Sequence, residues 1–215
     1  VLFRSILISK DAMWTVTKTF EGYFFFGKAF PGIVSVVVGS IFAILVLHAF
    51  LAMRKFPANY AQYRMFIGHR KLMAHGDTTL WWVQAITGFI LFFLAAAHLA
   101  QMLLQPGLIG PYESSDRVWS GHWWPVYLVL LFAVELHGGI GLYRLCVKWG
   151  WLEGKDPAAS RARLKTAKWA LTVFFLALGL ATLAAYVKIG IEHAPRAGER
   201  YVPAWVVPNP MEKAP

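Results

Sequence analysis

The stretch Pro125–Val147, PVYLVLLFAVELHGGIGLYRLCV, decides how this chain is read. At ~1.5 Å of rise per residue it is long enough to cross a hydrocarbon layer of ~30 Å as one helix. Yet it carries Glu135 and His137 near its middle. Ionisable groups are expensive inside a membrane helix, so both are functional candidates and each needs a partner.

The rest of the composition fits a membrane setting. Of 215 residues, 58% are hydrophobic and 16% aromatic, and the mean hydropathy is +0.51. Charged residues make up 15%, against about 25% in a soluble domain. They cluster between apolar runs, which predicts an all-α polytopic bundle with four spans. The net charge of +10 comes from basic residues flanking those spans, so it points to anionic lipid and membrane topology, not to nucleic acid. Ten Trp residues suit the two interfaces. The single Cys146 excludes an internal disulfide or a cysteine metal cluster and reads as packing.

Three segments are expected. Residues 1–30 form an outer-side segment with a short interfacial helix, from Met13, Thr17, Phe20 and Phe24 at helical spacing. Residues 31–188 hold the spans, at about 33–53, 80–104, 125–147 and 169–187, with polar loops between them. Residues 189–215 form a polar tail, extended or partly disordered. No phosphate loop, nucleophile motif or zinc signature is present.

Loop charge sets the orientation. Five basic residues lie in loop 54–79 and six between Lys148 and Lys168, but only Arg117 lies in loop 106–123. The first and third loops are therefore expected in the cytoplasm, with both chain ends outside. An outer N-terminus without a signal peptide predicts a further spanning helix ahead of Val1.

Depth then groups the histidines. His48 lies ~9 Å and His137 ~10 Å from the inner boundary, whereas His98 lies ~12 Å from the outer end of its helix. Two neutral imidazoles on facing helices at one depth can ligate a haem iron, and Gly138, Gly139 and Gly141 would let a planar group or a second helix approach. His98 would then be half of a second site. A carbonyl-bonded histidine, ordinary close helix packing and a proton relay using His and Glu stay open on these residues alone. Glu135 lies two residues from His137, on nearly the opposite face, so it should face another helix or a wet cavity. Glu21 reads from composition as a solvated surface carboxylate, and His69 and His75 as ordinary loop histidines.

The motifs HAFLAMRKFP (48–57), HGDTTLWW (75–82), TKTFEGYFF (17–25) and YLVLLFAVELHGGIGLYRLCVKWGW (127–151) closely resemble the dihaem cytochrome b subunits of bacterial quinol:fumarate reductases and succinate dehydrogenases that use menaquinone. The similarity runs from about Ile6 to Lys188. It implies five spans, of which four are present here, and two haem b groups. It further implies a cytoplasmic iron–sulfur subunit and a flavoprotein subunit that carries the fumarate chemistry, and it allows a dimer of heterotrimers in a bacterial inner membrane. By the same resemblance His48 and His137 ligate the proximal haem and His98 the distal haem, whose other ligand sits on the family's first helix. Glu21 corresponds to the menaquinol-site carboxylate and Glu135 to a glutamate of transmembrane proton transfer. Lys55, Trp81, Arg117 and Lys148 fall where haem propionates are held, although cations there can also be snorkelling to the interface.

The expected function is a membrane anchor that passes electrons from menaquinol through two haems to the iron–sulfur partner. A haem-free structural anchor and a proton-coupled transporter built on Glu135 are the alternatives.

Overall fold

The computed structural model describes residues 2–206, with side chains from Arg4 onward. All regular structure among them is helical. A 3-10 turn at Leu2–Leu7 leads into α1 (Lys10–Phe20) and α2 (Tyr23–Phe26). Then come α3 (Pro31–Met53), α4 (Tyr60–Met73), α5 (Gly76–Leu104), α6 (Pro111–Val118), α7 (Trp124–Trp149) and α8 (Pro157–His193). The helices α3, α5, α7 and α8 are long and apolar enough to cross a membrane, with mean hydropathies of 2.6, 1.9, 1.7 and 2.2 over their best windows. This is the expected four-span bundle.

The helices differ from the expected spans at their ends, for local reasons. Helix α8 begins at Pro157, well before the apolar run, because Asp156 caps it: its side chain accepts from the backbone N–H of Ala158 at 2.9 Å and Ala159 at 3.2 Å. Arg161, Arg163, Lys165 and Lys168 are therefore helical, not loop. Loop 54–79 contains α4, started by Asn59, whose side chain accepts from the Gln62 N–H at 2.9 Å. It has no buried residue. Loop 106–123 likewise contains the short α6, with Pro111 at its first position.

The chain forms two compact units. The first comprises Val1–Val37, Gln101–Pro125 and Ala181–Pro215. Its core is built on α1, whose Ser9 side chain accepts from the Ala12 N–H at 2.9 Å. Met13, Trp14 and Thr17 are buried along one face of α1, whereas Phe20 and Phe24 of the expected face are exposed because the helix ends at Phe20. The described part of the tail, residues 189–206, folds into this unit, beginning as a continuation of α8. Helix α8 continues through Lys188 to His193, which is buried against Tyr112 with ring centroids 3.9 Å apart. Asp116 accepts from His193 Nδ1 at 2.8 Å and from the Gly198 N–H at 2.9 Å. Farther along, Tyr201 donates to Asp11, and Trp205 meets Trp14 edge-on at 5.4 Å.

The second unit comprises Val38–Ala100 and Val126–Leu180. Helix α7 is its organising element and buries Ala133, Ile140, Tyr143 and Cys146 on one side. Leu131 packs on Gly179 of α8, and the Tyr143 hydroxyl donates to Asp77 at 3.1 Å. Helix α4 contacts α5 through Phe66 stacked on Trp81, with centroids 5.7 Å apart. Helix α3 has no fully buried residue.

Candidate functional site

The second unit brings His48 of α3 and His137 of α7 together. Their ring centroids lie 6.2 Å apart with planes at 85°. A first-row metal sits about 2 Å from an imidazole nitrogen, so two axial imidazoles place their centroids roughly 6 Å apart. The observed spacing fits an iron between them.

The surroundings of His137 fix which nitrogen is available. Its Nδ1 lies 2.9 Å from the backbone carbonyl of Gln84. A carbonyl only accepts, so Nδ1 carries the proton and Nε2 is left with the lone pair in the neutral ring. A metal-ligating histidine is typically oriented in this way, with its other nitrogen donating to a carbonyl. The ring lies against α5 at Gly88, where a Cβ would stand 2.8 Å from His137 Cε1. Of the glycines after His137, Gly139 packs on Thr172 and Gly141 on Gln84, which is helix approach; Gly138 faces open space.

Glu135 turns away from this pair, as its offset predicts. It borders a cavity of about 320 Å³ between α7 and α8, together with Gly138, Gly139, Tyr143, Lys168 and Thr172. The other expected residues lie on separate elements. His98 is half-buried on α5 and meets Tyr127 of α7 edge-on at 5.4 Å. Trp81 is held between Phe66 and Trp82, at 5.7 and 5.3 Å. Lys55 and Lys148 are exposed, and Lys148 lies 5.0 Å from the Trp149 ring. Arg117 is on α6, where its guanidinium donates to the Leu108 carbonyl.

Glu21 is not a surface carboxylate. It sits at the end of α1, where Gly22 takes the left-handed φ of 78° that ends the helix, and only 1% of it is exposed. Its Oε2 accepts from Lys18 at 2.6 Å. Lys18 is also within electrostatic reach of Glu113, whose carboxyl burial pushes above the usual carboxylate range. Glu113 Oε2 has no hydrogen-bond partner among the described residues.

Gln84, Gly88 and the buried Lys168 did not emerge from the sequence as site residues. Gln84 was visible as a polar residue in a span, but its contribution to His137 is a backbone carbonyl, which no side-chain pattern signals. Lys168 looked like one more loop cation.

Residues 61–179 match the family model described as succinate dehydrogenase/fumarate reductase transmembrane subunit. That range holds His98, Glu135 and His137; Glu21 and His48 lie before it. The chain is 55% identical over 188 residues to a fumarate reductase cytochrome b subunit of Wolinella succinogenes, covering 87% of this chain and 73% of the relative. It is 55% identical over 192 residues to the fumarate reductase cytochrome b subunit of Helicobacter pylori strain 26695, covering 89% and 74%. On this evidence the chain belongs to the family of succinate dehydrogenase/fumarate reductase cytochrome b subunits.

Proposed function

We propose that this chain anchors a menaquinol:fumarate reductase complex of the succinate dehydrogenase type in a bacterial inner membrane and carries its electrons across. The observation that carries this reading is the His48–His137 pair at 6.2 Å, with Nδ1 of His137 committed to the Gln84 carbonyl. Family membership implies haem b and a quinone. The residues present fit haem ligation: His48 and His137 would hold the proximal haem and His98 the distal one.

Haem b, when bound, would supply a one-electron iron couple. The remaining work belongs to the chain. Glu21, buried and paired with Lys18, takes up a proton from menaquinol on the outer side. Lys55, Trp81, Arg117 and Lys148 offer cations and an N–H donor to the propionates. The basic inner segments 54–79 and 148–168 dock the iron–sulfur subunit, behind which a flavoprotein subunit reduces fumarate. The C-terminus lies on the outer side.

The test is the purified complex. Reduced-minus-oxidised spectra with haem extraction are expected to report two haems b, and His137→Ala to remove one. Glu21→Gln is expected to abolish menaquinol oxidation while fumarate reduction by a soluble viologen donor continues. A complex without haem absorbance contradicts the reading and favours a structural anchor.

A further inference from the structure

The space between α7 and α8 has a shape that the electron path does not use. The two helices run antiparallel, with Leu131 against Gly179 at one level and Gly139 against Thr172 at another. A cavity of about 320 Å³ lies along them, half open and almost wholly apolar. Leu142, Cys146, Leu164, Leu171 and Phe175 are on its wall. From Leu164 to Phe175 on α8, and from Cys146 back to Glu135 on α7, the wall follows the helices for ~16 Å. That is half of a hydrocarbon core of ~30 Å, the depth that the acyl chains of one leaflet fill.

One end of this groove is strongly cationic. Lys168 of α8 is on the wall and is only 4% exposed. Its Nζ is buried, 3.3 Å from the centroid of the Trp169 ring, and has no hydrogen-bond acceptor among the described residues. A buried ammonium without an acceptor is costly, and its N–H groups demand one. A flexible four-carbon stem lets the group snorkel past Trp169 to the nearby boundary. Other cations gather there. Lys168 is within electrostatic reach of Lys165. Lys165 Nζ is 3.0 Å from Asp77 Oδ1 and Arg161 is 3.9 Å from Oδ2, so two cations share one carboxylate. Residues 148–168 carry six Lys and Arg against two carboxylates, Glu153 and Asp156. Glu135, the carboxylate on the wall, is at the groove's other end.

We propose that the α7–α8 groove binds an anionic phospholipid, with an acyl chain along the apolar wall and the phosphate at the basic mouth, on Lys168. Each half of the lipid answers one half of the site. An apolar wall half open to the bilayer and one leaflet deep suits an acyl chain. The phosphate supplies the acceptor that Lys168 lacks, and the surplus of positive charge at the mouth favours a headgroup with net negative charge. A zwitterionic headgroup would bring its own cation into that mouth. Free phosphate could use the ammonium but not the wall, and a quinone tail could use the wall but would leave the ammonium unpaired. On the proposed orientation the lipid belongs to the inner leaflet. Neither haem nor proton exchange enters the binding.

The test uses the whole complex, delipidated in a neutral detergent and titrated with phosphatidylglycerol or phosphatidylcholine, with bound lipid counted by native mass spectrometry. The most tightly held phosphatidylglycerol is expected to bind about fivefold or more tighter than phosphatidylcholine. Lys168→Met is expected to bring it down to the phosphatidylcholine level, and Lys168→Arg to keep it within about twofold of native. Ala167→Phe fills the groove from its wall and leaves the cations in place, so it is expected to weaken both lipids. The haem spectrum should be unchanged in all three variants. Equal binding of the two lipids, or native phosphatidylglycerol binding in Lys168→Met, overturns the proposal. So does displacement of the lipid by added inorganic phosphate, which marks a free-anion site. Phosphatidylglycerol carrying a diazirine on its acyl chain should label residues 164–175 of the native complex. Absence of label there overturns the proposal whether or not Lys168→Met assembles. Label removed by menaquinone but not by excess phosphatidylglycerol gives the groove to a quinone tail and overturns it as well.

Discussion

At the scale of single residues, the geometry turns on which groups back the functional side chains. His137 is aimed by a carbonyl of α5 and by the missing side chain at Gly88. Gly88→Ala would press a methyl into the imidazole, and the ring cannot yield without losing its bond to Gln84. The expected result is loss of one haem from the purified complex and a fall in stability of roughly 1–3 kcal/mol, as for overpacking in a well-packed core. Pyridine haemochrome counting and thermal unfolding check both. Glu113 yields a pH prediction. Burial holds its carboxyl above the usual range, so the folded chain keeps a proton that the unfolded chain has released. That group contributes stability while both states are protonated and loses it as pH rises from the unfolded toward the native value. Glu113→Gln is therefore expected to gain on the native protein over that interval and to hold the gain at neutral pH. Melting temperatures of the two complexes across acid to neutral pH check the sign. Tyr201, pushed up to about 12 by burial and its bond to Asp11, should stay protonated over the same range and add no slope.

At the scale of elements, the ends of α8 show what apolar pattern misses. A hydropathy window finds the segment that must sit in hydrocarbon and is blind to the helix beyond it. Asp156 starts α8 far inside the basic loop, and Asp116 secures its other end by accepting from both His193 and Gly198. Asp116→Ala would leave a buried imidazole nitrogen and a backbone N–H without acceptors, at about 1–3 kcal/mol for each group left buried. The expected outcome is faster amide exchange and proteolysis at residues 188–206, with the haem spectrum retained. If cleavage there matches the native protein, Asp116 is not the fastening. The basic residues of α8 gain meaning from the same extension. Being helical, Lys168 is carried round to the α7 side, where a loop residue would have stayed in water.

At the scale of the whole molecule, topology and the folded tail are the testable features. On the proposed orientation the C-terminus is outside, so an alkaline phosphatase fused after Pro215 should be active and a fluorescent protein there dark. The opposite result reverses the proposed order of quinol, haems and iron–sulfur partner. Removing residues 194–215 takes away the Tyr201–Asp11 bond and the Trp205–Trp14 contact. The truncated complex is expected to melt lower than the full chain while its His48–His137 haem spectrum stays the same.

The amino-acid sequence by itself determined the four apolar spans and the matched depth of His48 and His137, and it carries the proposed orientation. These follow from local quantities, because hydrocarbon thickness fixes span length, loop charge biases sidedness and helical rise fixes depth. It also placed Glu135 on the face away from His137, since a two-residue offset on a helix turns a side chain nearly around. The tertiary structure decided which groups those side chains meet. The Gln84 carbonyl behind His137, the burial of Glu21 against Lys18 and the turning of Lys168 into the Glu135 cavity join residues far apart in the chain. Such contacts depend on how helices rotate and pack against one another, and no window of neighbouring residues encodes that.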